Sequence, residues 1–78
     1  MFWVYVLKSE KDGRLYKGLS QNIEKRLLQH NIGANRSTKG FRPWFLVFKK
    51  SFETRIEARD YERFLKSGIG REFLKNLI

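Results

Sequence analysis

The chain opens on an unbroken apolar run, Phe2-Trp3-Val4-Tyr5-Val6-Leu7, dense in β-branched and aromatic residues. Such a run predicts a strand covered on both faces, because a half-exposed strand would alternate apolar with polar positions. The polar stretch Lys8 to Arg14 carries Asp12-Gly13, a pair suited to a tight reversal, so Leu15 to Leu19 is expected to return antiparallel to the first strand. In that hairpin Tyr5 and Tyr16 can share one face or edge, the register being open at this level. Gly18 leaves room for the backbone to approach a ligand closely. The period then changes. Ile23 and Leu27 at i and i+4 supply an apolar stripe, Asn22 is a good N-cap and Glu24 suits the first turn. Together they predict a helix over Asn22 to Asn31, with Arg26 and His30 on one face beside the stripe.

Ile32 to Pro43 carries two glycines, Asn35, Ser37, Thr38 and the cations Arg36, Lys39 and Arg42, and reads as a basic loop. Loops of this kind contact phosphates in some proteins and merely join elements in more of them. Trp44 to Phe48 is a third strand, extending toward Phe52, with Pro43 suited to its start. Thr54-Arg55-Ile56-Glu57 fits a capping box, in which each of two side chains satisfies a free backbone N–H. A second helix is therefore expected from near Arg55 to about Lys66, ended at Ser67-Gly68 by glycine in its left-handed terminating role. Ala58, Tyr61 and Leu65 form its inner stripe, with Glu62 at the border of that stripe. A short third helix, Arg71 to Leu77, places Phe73, Leu74 and Leu77 inward. The order β-β-α-β-α-α predicts an α+β fold, a three-stranded antiparallel sheet flanked by helices, in one domain over residues 1–78.

Charge narrows the partners. Seventeen Lys and Arg face eight Asp and Glu, a net charge of +9 with a pI near 10.3. A charge of that size on a small surface draws polyanions, nucleic acid ahead of anionic membrane. The apolar runs are far shorter than the roughly 20 residues a membrane helix needs, and no signal peptide is evident, so the expected location is cytoplasmic. The absence of cysteine excludes disulfides and thiolate metal sites. An aromatic content of 15% helps so small a chain fill its interior.

One ordered set of residues resembles a known family. Trp3-Val4-Tyr5 stands at a first motif and Tyr16-Lys17-Gly18 at a second. Ser20, Asn22, Arg26 and His30 follow at the spacing Ser-x-Asn-x-x-x-Arg-x-x-x-His, and Ala58-x-x-x-Glu62-x-x-x-Lys66 comes after them. This set resembles the GIY-YIG nuclease domain over nearly the whole chain, most of all the small single-domain members similar to the nuclease domain of the excision-repair endonuclease. Trp3 stands where the family has the glycine of the first motif, and Lys17 where it has the isoleucine of the second.

The resemblance implies a metal-dependent DNA endonuclease that hydrolyses phosphodiester bonds, as a nickase or on branched or damaged DNA in repair, with a protein partner a candidate for its targeting. Tyr16 is the implied general base, and Tyr5 its hydrogen-bonding partner. Arg26 is the implied phosphate clamp. His30 is expected to bond the phosphate or Tyr5, or to relay a proton to the leaving group. Glu62 is the implied ligand of a divalent ion, Mg²⁺ or Mn²⁺. A hard cation of this kind takes one or two carboxylates and completes its shell with waters and substrate oxygens. A phenol titrates near 10 and is a weak base at neutral pH unless its anion is stabilised; Arg26, the metal and Lys17 are the candidates for that task. Lys17, Arg36, Lys39, Arg42, Lys66 and Arg71 are expected to contact the nucleic-acid backbone, and the Gly68-Ile69-Gly70-Arg71 turn to offer N–H groups to an anion. Taken singly, each residue has an ordinary structural role: the tyrosines as amphipathic strand residues, Arg26 on a solvated helix face, His30 as a buried-edge histidine, Glu62 in an i, i+4 pair with Lys66. The alternative function is a catalytically inactive nucleic-acid-binding module that retains the fold. A basic adaptor for an acidic protein is the third.

Overall fold

The computed structural model describes all 78 residues. Its sheet runs in the order β2-β1-β3, with β1 (Phe2–Ser9) in the middle and β2 (Leu15–Ser20) and β3 (Trp44–Phe52) antiparallel on either side. Helices α1 (Ile23–Asn31), α2 (Arg55–Lys66) and α3 (Gly68–Leu77) complete the predicted order, and a 3₁₀ turn at Lys39–Phe41 interrupts the basic loop.

The central position of β1 accounts for its apolar run, since both of its faces are covered. Val4 and Val6 point to one side and join Ala58, Leu65 and Leu74 of α2 and α3 in one core. Tyr5 and Leu7 point to the other and pack with Trp44, against Ile23 and Leu27 of α1. All four strand residues are 0% exposed. A bulge between Val6 and Leu7 shifts the pairing with β3, so that Phe48 faces Val6 and Leu46 faces Leu7.

Register closes the question left open by the hairpin. Tyr5 pairs with Gly18 and Leu7 with Tyr16, so Tyr5 and Tyr16 lie on the same face, the one covered by α1. The reversal is wider than a two-residue turn. Ser9 N–H bonds the Arg14 carbonyl, Gly13 adopts a φ of +78°, and the Ser9 hydroxyl accepts from the N–H groups of Lys11 and Asp12.

Several local expectations need correction. Asn22 caps α1 as predicted, accepting from Lys25 N–H at 3.1 Å, but the capping box of α2 is only half formed. Thr54 Oγ1 accepts from Glu57 N–H, yet the Glu57 carboxylate takes the Thr54 hydroxyl instead of its backbone N–H. Gly68 is not a left-handed terminator; positive φ occurs only at Gly13 and Gly33. Ser67 alone separates the two helices, closing α2 and capping α3, so α3 begins at Gly68, three residues before the expected start at Arg71. The supposed anion-binding turn is thus the first turn of a helix. Its Gly70 N–H is taken by Ser67 Oγ at 3.1 Å and its Arg71 N–H by the Ser67 carbonyl. Of the three residues expected inward on α3, only Leu74 is buried; Phe73 and Leu77 are 39% and 52% exposed. The glycines that matter in α3 do so through space: a methyl group at Gly70 would collide with the Phe64 carbonyl, because α2 and α3 meet backbone to backbone there.

Candidate active site

Tyr5 lies at the bottom of the site. Its ring runs from β1 across to β2 and covers Gly18, where a Cβ would overlap the phenol's Cζ and hydroxyl. Gly18 therefore makes room for a side chain of this chain, and not, as expected from sequence, for a ligand. The hydroxyl meets His30 Nε2 at 3.2 Å, and His30 Nδ1 meets Thr38 Oγ1 at 2.8 Å. His30 is 1% exposed with both ring nitrogens engaged. Of the three contacts considered for it, the structure makes the one to Tyr5.

Tyr16, half-buried, lays its ring against the same imidazole with centroids 4.7 Å apart and stands edge-on to Trp44 at 6.3 Å. Its distance to the Tyr5 ring is 6.3 Å. Arg26, one turn before His30 on α1, brings its guanidinium beside both phenols. The hydrogen bond it donates goes to Gln29, Nη1 to Oε1 at 3.2 Å, while its Nε is buried with no partner. The Tyr5 hydroxyl is close enough to act on the guanidinium's charge but does not accept a well-formed bond from it. A half-buried cation with spare donors is poised for an anion.

The electrostatics follow from that packing. Burial raises the Tyr5 phenol above its ordinary range; Arg26 beside it opposes the shift, and Tyr16 and Glu62 add to it. Burial, followed by the Arg26 charge, pushes the His30 imidazole below its usual 6.5, so it is neutral at pH 7. Glu62 of α2 is near enough for its charge to act on the Tyr5 phenol, as the smallest of the influences on it. The side chain of Glu62 is 18% exposed, and Lys66 Nζ stands 3.7 Å away, one turn on. That separation is an ion pair without a hydrogen bond.

No group of three or more metal-ligating side chains exists. The donor set still suits a hard cation, because one half-buried carboxylate at the edge of the site is what a largely hydrated Mg²⁺ or Mn²⁺ requires of a protein.

Two groups of cations stand out. A pocket of about 420 Å³ is lined by Arg26, Gln29, His30, Ala34, Asn35 and Arg36. Lys17 of β2, on the sheet face opposite Tyr16, is half-buried near Lys66 and Arg71, and burial together with those two charges lowers its pKa. Lys39 and Arg42 stay exposed on the loop, but Arg42 donates to the Lys39 carbonyl at 2.9 Å and lies against Gly33, so it is partly consumed in holding the loop together. Thr38 was missed in the sequence. It is buried, touches His30, and receives Trp44 Nε1–H on its carbonyl at 2.9 Å. Nothing periodic ties a loop threonine to a histidine eight residues earlier. Asn31 was missed for the same reason. It grips the backbone of Trp44 through both its amide atoms, at 2.9 and 2.7 Å, and so joins the end of α1 to the start of β3.

Comparison with known proteins agrees with this fold. The model of the GIY-YIG catalytic domain matches residues 1–74. The UPF0213 protein SSP2268 of Staphylococcus saprophyticus is 44% identical over 63 residues, 77% of this chain and 76% of the relative. The UPF0213 protein CPE1444 of Clostridium perfringens is 42% identical over 67 residues, 85% of this chain and 71% of the relative. The solution structure of the UPF0213 protein BH0048 from Bacillus halodurans superposes with a TM-score of 0.59 at 31% identity, covering 99% of this chain and 85% of that one. With the family's match running over nearly its full length and the motif residues gathered from four elements around one phenol, the chain belongs to the GIY-YIG catalytic domain family.

Proposed function

We propose that this domain is a DNA endonuclease that hydrolyses phosphodiester bonds, nicking one strand or cutting at branched or damaged sites. The observation that carries the reading is convergence. Tyr5, Tyr16, Arg26, His30 and Glu62 come from β1, β2, α1 and α2, and all of them act on the Tyr5 phenol or the imidazole bonded to it. Structural roles for each residue would not require them to meet.

Tyr16, acting as its phenolate, takes a proton from the attacking water as the water oxygen closes on phosphorus; the phosphorus bond to the leaving oxygen breaks on the opposite side, and that oxygen is protonated by solvent. Arg26 holds the non-bridging oxygens with its guanidinium, and their charge grows in the transition state. Tyr5, held by His30, offers its oxygen to the group beside it and keeps its own proton. Glu62 would hold a Mg²⁺ or Mn²⁺ ion. A bound ion of that kind supplies charge neutralisation at the phosphate. Lys17, Lys66 and Arg71 in one group, and Arg36 with Lys39 and Arg42 in another, carry the strand past the centre. Burial, then repulsion from Arg71 and Lys66, lowers the pKa of Lys17, and the repulsion is relieved when a phosphate arrives.

The test is a cleavage assay on supercoiled and branched DNA, with and without Mg²⁺, on the native chain, Tyr16→Phe and Glu62→Ala. Loss of cleavage in both variants is expected. Equal cleavage by all three overturns the mechanism. A native chain that binds DNA with steep salt dependence yet never cuts it establishes the inactive binding module instead.

A further inference from the structure

The imidazole of His30 sits between two hydroxyls, and the direction of the proton in each bond can be worked out from what else those hydroxyls touch. The Tyr5 hydroxyl is fully buried, and its one hydrogen bond is to His30 Nε2. A buried O–H needs an acceptor. Arg26, the other polar group against that oxygen, has donors only and so cannot take its proton. The Tyr5 proton must then point at Nε2, which has to be bare. At the other end, Thr38 Oγ1 lies within 3.4 Å of the Asn35 carbonyl, to which it donates, so its oxygen is free to accept from His30 Nδ1 at 2.8 Å. Both ends therefore demand the same tautomer, with the proton on Nδ1.

We propose that Thr38 is a positioning residue that locks His30 as the Nδ1–H tautomer, so that Nε2 accepts the Tyr5 hydroxyl and the Tyr5 oxygen is left facing its neighbours as an acceptor. Thr38 can do this because it is itself held. Its carbonyl accepts the Trp44 indole, Trp44 is gripped by Asn31, and its N–H bonds the Asn35 carbonyl. The basic loop and the imidazole are thereby one unit. The titratable groups that face the ring are Tyr5 from β1, Tyr16 from β2 and Arg26 from α1, while Arg36 lines the adjoining pocket from the loop. With the opposite tautomer, Nε2–H and Arg26 would both donate to the Tyr5 oxygen, and the buried Tyr5 proton would have no acceptor. The catalytic consequence, a Tyr5 oxygen kept free for the reacting centre, rests on the proposed nuclease activity; the tautomer does not.

His30 is the chain's one histidine, so its ring nitrogens can be read without assignment ambiguity in a long-range ¹H–¹⁵N spectrum of the ¹⁵N-labelled native chain. Above the imidazole's titration, Nδ1 is expected to be protonated and Nε2 bare, against the preference of free histidine for Nε2–H. An Nε2–H signature in the native chain overturns the proposal with no variant needed. Thr38→Ser should keep the native tautomer, and Thr38→Val should shift it towards Nε2–H; a Thr38→Val spectrum identical to the native one also overturns it. In the cleavage assay Thr38→Val is expected to lower kcat with KM unchanged, on the order of 10- to 100-fold as when groups that orient a ligating imidazole are removed, with Thr38→Ser restoring the rate. A rate unaffected by Thr38→Val removes the positioning role even if the tautomer holds. A native chain with the expected tautomer and no cleavage leaves the lock standing and sinks the nuclease reading alone.

Discussion

At the scale of single residues, the site is governed by what burial does to groups that would be ordinary in water. His30 is neutral because it is enclosed and sits near a cation, which ties its charge state to folding. Its folded pKa lies below the 6.5 of the unfolded chain, so the unfolded state takes up the proton first as pH falls. Its contribution is fully present above about pH 6.5 and is lost as the pH drops through the lower folded value. Thermal unfolding followed from pH 8 to pH 5 should show a falling Tm over that window, and His30→Gln should flatten the fall. Asp12, whose pKa the Arg14 backbone and side chain hold below 3.8, acts only at more acid pH and does not confuse the measurement. Gly18 offers a second test. Its hydrogen leaves space that the Tyr5 ring fills, and that ring is boxed in by His30 and Tyr16. Gly18→Ala should destabilise the fold by about 1–3 kcal/mol, as overpacking does, and should abolish cleavage by displacing the phenol. Native-like cleavage by Gly18→Ala would show that the position of Tyr5 is irrelevant.

At the scale of elements, legibility followed how local each signal was. The N-caps at Asn22 and Thr54, the reversal at Gly13 and the two-faced burial of β1 were readable, because each depends on residues within a few positions or on a face pattern. The α2–α3 junction was misread. Ser67-Gly68 looks like the end of one helix, yet the same serine satisfies the start of the next by accepting from Gly70 N–H, and no left-handed residue is needed. The glycine that α3 does require is Gly70, where α2 and α3 come into backbone contact beside Phe64 and Leu65. Gly70→Ala should therefore cost more than a surface helix substitution, about 1–3 kcal/mol, although alanine is the better helix former. Denaturant unfolding of the variant checks this; an unchanged or raised midpoint would mean that the helices can separate freely. Phe73 and Leu77 were placed inward on periodicity alone. With α3 crossing α2 closely at Gly70, only Leu74 of the three expected inward is buried.

At the scale of the molecule, a net charge of +9 becomes directional only once the chain is folded. Lys17, Lys66 and Arg71 come together from three elements, and Arg36 lines the pocket beside Arg26. DNA affinity should fall steeply with salt, with a log–log slope of about −0.9 per duplex phosphate bound. Replacing Lys17 and Arg71 with glutamine should make that slope shallower by about 0.9 for each phosphate no longer neutralised, without sequence preference. A slope unmoved by both substitutions removes that group of cations from the path of the strand. No helix is long and apolar enough to cross a membrane.

By itself the sequence determined the element order, the apolar strand covered on both faces, the caps of two helices, the charge and the spaced set of Tyr5, Tyr16, Arg26, His30 and Glu62. Each of these is a property of neighbours in the chain or of a motif at set intervals. Only the tertiary structure decided that Gly18 serves the Tyr5 ring, that His30 faces inward to Tyr5 and Thr38, and that Glu62 on α2 comes near enough for its charge to act on a site built largely from β1, β2 and α1. The physical reason is that these facts depend on strand register and helix crossing. Both are set by how two apolar faces of one sheet are filled at once, and a linear pattern does not carry that information.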